Sequence, residues 1–377
     1  MIECIGEGVV YVNPHPHLRS RHAWHPSLVA LSANEWFVSF DLGEAVESLD
    51  YGTWFTTTSD AGSHWSAPRR LLVDPWLESR AGHSNPPIPC THSIRVSRMA
   101  NGEWVGIGAR WQRPDPGEGL VNRTNLGYTA MDVFLTRRDS ARDRWCAPQP
   151  LDSPLPGPAF ELCHPVLECA DGRWLWPTST WRGWDGDCPL GMQAVAWVST
   201  DRGSTWPGWI PLANASAQRV ILWEVGVTRL PGDDLLASVW RFHEPSGRSL
   251  PSAYCVGSAA GPFSPLGENG LQGETAKVLG LCDGRVVCVY RRCDRPGMWA
   301  QLADLPQGSW RNLAETPIWQ GTGNTMRGRQ HASDELSSLR CGYPSLVELG
   351  PGELLVVFWC REDCLHVIRW SRLRVTG

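Results

Sequence analysis

A chain of 377 residues, 42% hydrophobic and 19% charged, has a globular composition, and its 38 glycines and 30 prolines favour many short strands and turns over long helices. A net charge of −5 and a pI near 6.1 argue against a general nucleic-acid binder. No apolar run approaches the ~18 residues of a membrane-crossing helix.

The segment MIECIGEGVVYVNPHPHL, with which the sequence begins, has no basic region followed by an apolar one, so no secretory signal is expected. The 13 cysteines show no CxxC pair and no zinc-finger spacing. They read as reduced thiols of a cytoplasmic protein, most of them packed as small apolar side chains.

Along the chain, one pattern recurs six times: a short strand-like run, a tight turn and a second apolar run. It begins with HPSLVALSANEWFVSF from His25, HSIRVSRMANGEWVGIGAR from His92 and HPVLECADGRWLWPTS from His164. EVGVTRLPGDDLLASVWR from Glu224, TAKVLGLCDGRVVCVYRR from Thr275 and YPSLVELGPGELLVVFW from Tyr343 follow. Third strands come after most of these hairpins, as in GTWFTTTS, MDVFLTRR, QAVAWVST, SAYCVGSA and MWAQLAD. The last run, HVIRWSRLRV, is expected to supply the closing strands of the sixth unit. Six four-stranded antiparallel units make an all-β, six-bladed β-propeller, with residues 1–377 as a single domain.

Two third strands end in near copies of one turn, TSDAGSHW from Thr58 to Trp65 and STDRGSTW from Ser199 to Trp206. A degenerate copy, TRRDSARDRW, keeps the tryptophan and lacks the glycine. Asp accepts local backbone N–H bonds, Gly takes a positive φ, and the Trp anchors the turn to the core.

In such a blade the start of the first strand and the end of the second share a face. That face gathers His25 and Asp41, His92 and Arg110, His164 and Trp181, and Glu224 and Arg241. The fifth repeat adds Glu274 with Arg291 and Arg292, and the sixth adds Tyr343 with Arg361. Titratable groups gathered at one end of apolar strands mark the expected site.

The Ser/Thr-x-Asp-x-Gly-x-x-Trp turns resemble the Asp box of sialidases, which joins the third and fourth strands of a blade at the rim. The resemblance implies a structural role for Asp60 and Asp201. CGYPSLVELGPGELLVVF resembles the sialidase segment bearing the nucleophilic tyrosine, which would be Tyr343. EVGVTRLPGDDLLASVWR resembles the segment with its partner Glu and a carboxylate-binding Arg, here Glu224 and Arg241. SLDYGTWFTTTSDAGSHW resembles the loop bearing the acid/base Asp, here Asp50. A phenol nucleophile suits a substrate with its own carboxylate, which a carboxylate nucleophile would repel. A neighbouring base then activates the phenol, whose free pKa is ~10. The resemblance thus implies an exo-acting glycoside hydrolase for a terminal acidic sugar, without metal or cofactor.

The chain also departs from that family. Trp24-His25-Pro26 stands where Arg-Ile-Pro is usual, so Arg21 or Arg19 would replace the first binding arginine. Arg291, Arg292, Arg327 and Arg329 compete for the third. Two other readings fit these residues. A propeller polysaccharide lyase, or a metal-dependent uronide-active enzyme, would use His25, His92 and His164. A binding propeller would hold saccharides without cleaving them.

Overall fold

The computed structural model describes residues 1–72, 89–321 and 338–377. Six antiparallel sheets follow one another along the chain. In the first blade the strands His22–Ala30, Trp36–Gly43, Gly52–Thr58 and Arg69–Arg70 pair in sequence order, and the fourth and fifth blades repeat this order. The alternation read from the sequence is that of strands whose faces pack against neighbouring blades. Trp36, Trp174, Trp176, Trp197 and Trp240 are among the fully buried side chains between them.

The sixth blade closes differently from the expectation. HVIRWSRLRV supplies only its third strand, within Leu365–Val375, and the fourth is the N-terminal strand Ile2–Tyr11. Pairing from Ile2↔Val375 to Tyr11↔Ile368 fastens the two ends of the ring together. The unpaired edge of the last blade is thereby covered by chain from the first residues.

The two Ser/Thr-x-Asp-x-Gly-x-x-Trp segments lie between third and fourth strands. In the second of them, Ser199 Oγ donates to Asp201 Oδ1 at 2.8 Å, and the Thr205 N–H and hydroxyl donate to the same carboxylate at 2.9 and 2.7 Å. Gly203 takes φ 77°, and Trp206 is buried. In the first copy the His64 N–H and imidazole occupy the places of Thr205 on Asp60, at 2.9 and 2.7 Å. Ala61 N–H donates to Asn34 O at 2.9 Å, which places this turn beside the first hairpin turn of its blade. Both are on the face opposite the ends where the first strands begin.

These carboxylates are therefore structural. Trp206→Ala should cost about 3–5 kcal/mol of stability, as other large core truncations do, and Asp201→Ala should cost less. Thermal unfolding and turnover measured together check this. Unchanged melting with lost turnover would contradict it.

Candidate functional site

The innermost strands of four blades break register at one corresponding place, between Trp24 and Ser27, Trp223 and Gly226, Glu274 and Lys277, and Gly342 and Ser345. The residue carried in each bulge has positive φ: His25 at 49°, Glu224 at 47°, Thr275 at 54° and Tyr343 at 51°. This region is costly for non-glycine residues, above all for β-branched threonine. Four such residues turned toward one axis, at about 1–3 kcal/mol each, mark a place where side-chain direction outweighs backbone comfort. Bulges re-aim side chains in this way beside functional sites.

Tyr343 lies across the axis. Its hydroxyl donates to Leu162 O of the third blade at 2.5 Å and accepts from Arg95 Nε of the second at 3.0 Å. Burial pushes its pKa well above the usual phenol value despite the Arg95 charge. Arg95 Nη1 also donates to Ser93 Oγ at 2.8 Å and to Asp41 Oδ2 at 3.1 Å. Asp41 is fully buried and accepts from Ser93, Tyr51 and Thr53 hydroxyls at 2.5, 3.0 and 2.7 Å. Burial alone would raise its pKa, but Arg95 and the bonds from His25 and Ser93 hold it below the ordinary carboxylate range.

His25 Nδ1 stands 2.7 Å from the Tyr51 hydroxyl and 3.4 Å from Asp41 Oδ2. Tyr51 has one proton and gives it to Asp41, so His25 donates Nδ1–H to Tyr51. Its ring meets the Tyr343 ring edge-on at 5.0 Å.

On the other side of Tyr343 two glutamates come together. Glu161 Oε2 accepts the backbone N–H of Glu224 at 2.8 Å, and Glu224 Oε2 accepts the Thr275 hydroxyl. Thr275 Oγ1 in turn accepts the Tyr343 N–H at 2.8 Å. Both glutamates are half-buried. Burial, and then the charge of Glu224, raise the pKa of Glu161 far above the carboxylate range, against the opposing Glu224 N–H and Lys277 charge. Lys277 is buried. Its Nζ donates to Glu224 O at 2.8 Å and Val225 O at 3.2 Å, and it stands 5.2 Å above the Tyr343 ring. Lys277, Arg95, Cys163, His164 and Tyr343 line one end of a cavity of about 370 Å3 that runs between the innermost strands toward Glu348.

The remaining expected residues are placed elsewhere or are already engaged. Asp50 accepts from Glu44 N, Ser48 Oγ and Arg21 Nη1 at 2.9, 2.6 and 2.7 Å, and so organises its own loop. Arg241 donates to Pro251 O at 2.7 Å and pairs with Glu268 at 2.6 Å, not with Glu224. Arg291 is buried against Glu274 at 2.8 Å, Arg292 pairs with Asp294 and Glu315, each at 2.7 Å, and Arg110 pairs with Asp132 at 2.5 Å. Arg361 is half-buried, and its Nε has no partner among the described residues. Trp181 donates to Leu126 O at 2.7 Å from a buried position.

His92 and His164 are both held neutral by burial, at a pKa of about 4, and His164 Nδ1 lies 2.7 Å from Pro165 O. Among the described residues no group of three or more His, Cys, Asp or Glu is placed to hold a metal ion. Arg327 and Arg329 fall outside the described residues.

Arg95, Glu161 and Lys277 were not singled out from the sequence, and Thr275 was read only as the start of a hairpin. Lys277 carried a signal nonetheless: it is the only lysine in the chain, set in an apolar strand run. Arg95 likewise interrupts the run from Ile94 to Val96.

Solved structures with this architecture cover the whole chain. The chain is similar to a protein of unknown function from Dyadobacter fermentans, with 18% identity, 100% of this chain and 99% of that one covered, and a TM-score of 0.73. It is similar to the Hadza microbial sialidase Hz136, with 12% identity, 94% and 66% covered, and a TM-score of 0.64. The fold is the sialidase-like six-bladed propeller. A Penicillium chrysogenum α-L-arabinanase solved with arabinobiose shares this propeller, with 12% identity, 99% and 98% covered, and a TM-score of 0.62. No protein-family model matches the chain, and no curated protein matches it. No described helix of the propeller is long and apolar enough to cross a membrane. Its 13 cysteines are all free thiols, seven of them buried.

Proposed function

We propose that this propeller is a glycoside hydrolase whose working groups are Glu161 and Glu224, acting on a neutral saccharide. The observation that carries the reading is the pair itself. A carboxylic acid held protonated near neutral pH stands against a second glutamate, both of them half-buried. Environments that push two carboxyl groups apart in pKa divide acid from base or nucleophile in glycoside hydrolysis. Glu161 protonates the departing glycosidic oxygen. Glu224, oriented by the Thr275 hydroxyl and the strained bulge, attacks the anomeric carbon or activates water. Lys277 and Arg95 balance the charge of the cluster.

Most of the arginines expected to bind an acidic sugar are already engaged, Arg361 excepted, and this favours a neutral one instead. Arg21, Arg110, Arg241, Arg291 and Arg292 each already face a carboxylate of the protein. A substrate carboxylate would have to displace these partners and approach Glu224. The sialidase-like alternative, with Tyr343 as nucleophile, is supported by the chain of contacts from Tyr343 N–H through Thr275 to Glu224.

Aryl glycosides and oligosaccharides of neutral sugars, arabinose included, should be hydrolysed in preference to sialosides and uronides. Product analysis on such a panel checks this. Preference for sialosides would restore the acidic-sugar reading, and an ultraviolet-absorbing unsaturated product would establish a lyase.

A further inference from the structure

We propose that Arg340, Arg361, His22 and His366 form a binding site for an oxyanion, a carboxylate, sulfate or phosphate group, where the sixth blade meets the first. The site goes beyond the saccharide reading above and does not depend on it. Half-buried arginines elsewhere in the propeller face a carboxylate, as Arg21, Arg182, Arg241 and Arg369 do. Arg361 and Arg340 are also half-buried, yet among the described residues no carboxylate pairs with either, and the Arg361 Nε is buried without a partner. A cation partly removed from water with no counter-charge is costly.

Strand register sets these groups side by side. Arg361, on Glu353–Glu362, is the Cα partner of His366, on Leu365–Val375. Side chains of directly opposed residues share a face, with Cβ atoms about 4.5–5.5 Å apart. The Arg361 N–H donates to Arg340 O at 2.7 Å, which extends the row to a second arginine. Like charges set opposite each other are destabilising. From the first blade, His22 Nδ1 accepts the His366 N–H at 3.2 Å, and the two rings lie 5.1 Å apart. The buried indoles of Trp24 and Trp359 stand 4.9 and 5.5 Å from the His366 ring and wall the cluster. Arg340 immediately precedes the strand Cys341–Gly350 that carries Tyr343, so the row lies at the same end of the propeller as the candidate site.

The charges around the two imidazoles are all positive. Burial, and then the Arg361 charge, lower the His22 pKa, and burial, His22, Arg361 and Arg340 hold that of His366 at about 4. No carboxylate acts on either ring. Two guanidinium groups beside two neutral imidazoles, walled by indoles that limit screening by water, match an oxyanion. A sugar hydroxyl alone would leave both charges unbalanced. Blades six and one stand across the axis from blades three and four, which carry Glu161 and Glu224. An anion held here therefore stays clear of the Glu224 carboxylate. Its source is either a free ion or a group borne by a saccharide, which the test separates.

The test titrates sulfate, phosphate, acetate and glucuronate into the whole protein by calorimetry, at constant ionic strength set with sodium chloride. The wild type should bind oxyanions, and Arg361→Gln should bind them about tenfold more weakly, or about 1.4 kcal/mol. Arg340→Gln should act in the same direction. Arg361→Lys should recover part of the loss, because it keeps the charge and loses the planar fork. Arg248→Gln, which removes an exposed arginine of the fourth blade, should bind as the wild type does. Without ligand, Arg361→Gln should melt no lower than the wild type, since it removes an unbalanced cation. Lower melting would assign Arg361 to packing and overturn the site. No oxyanion binding by the wild type, or equal binding by the wild type and Arg361→Gln, would overturn it as well. Glucuronate bound more tightly than acetate would support the site with a saccharide as the source, and equal binding of the two would support it with a free ion. Turnover of glycosides through Glu161 and Glu224 is a separate measurement, so failure of either reading leaves the other standing.

Discussion

Glu161→Gln should lower turnover of glycosides with poor leaving groups by about 10²–10⁴, the range of a lost general acid. The amide keeps the size of the acid and still accepts the Glu224 N–H, so the fold should be retained. An activated aryl glycoside should suffer much less, because its leaving group departs without protonation. The pH profile gives an independent readout. Burial and Glu224 raise the Glu161 pKa, so Glu161 should keep its proton through neutral pH and its loss should appear as an alkaline limb above the ordinary carboxylate range. That limb should vanish in the variant assayed on the activated substrate. Tyr343→Phe is the matching control. It removes the hydroxyl that binds Leu162 O and accepts from Arg95, and should change turnover far less than Glu161→Gln does. The reverse order, with Tyr343→Phe inactive and Glu161→Gln active, would reject the carboxylate pair and support the phenol as nucleophile.

Asp41→Asn should destabilise the propeller by about 3–5 kcal/mol, the cost of breaking a buried ion pair from one side. Asp41 and Arg95 are both almost fully buried, at 0% and 4%, so water cannot replace the lost charge. The amide also cannot accept from Ser93, Tyr51, Thr53 and Arg95 together. The folded-state pKa of Asp41 lies below its unfolded value. Its contribution is therefore complete above the unfolded carboxylate pKa near ~4. It fades as pH falls through the folded value. Denaturant unfolding across that acid range should show this slope in the wild type and a smaller one in Asp41→Asn. Equal midpoints for the two proteins at neutral pH would show that Arg95 has other means of compensation.

Much of the architecture could be read from local pattern. Each hairpin start chosen from the sequence falls on or close to the innermost strand of a blade, because alternation and turn residues are properties of neighbouring positions. Four of those starts, His25, Glu224, Thr275 and Tyr343, are the bulged residues themselves. The face-sharing rule placed His25 with Asp41 and Glu274 with Arg291, and both pairs are in contact. It failed for Glu224 and Arg241. The register break moves Glu224 off its place in the ladder toward Thr275, while Arg241 turns outward to Glu268.

The sequence by itself determined the strand pattern, the six repeats, the two Asp-centred turns and the end of the propeller where titratable groups collect. Each of these depends on residues close together in the chain, where period and turn chemistry act directly. Only the tertiary structure decided which charged groups are left free to work. Most of the arginines that suggested an acidic sugar are neutralised by carboxylates on other strands and loops, and Glu161 gains its raised pKa only when folding buries it and, second, sets Glu224, 63 residues away, against it. The N-terminal strand reaches the sixth blade by the same logic. Charge compensation, desolvation and ring closure depend on distances in space, and those exist only once all six blades surround the axis.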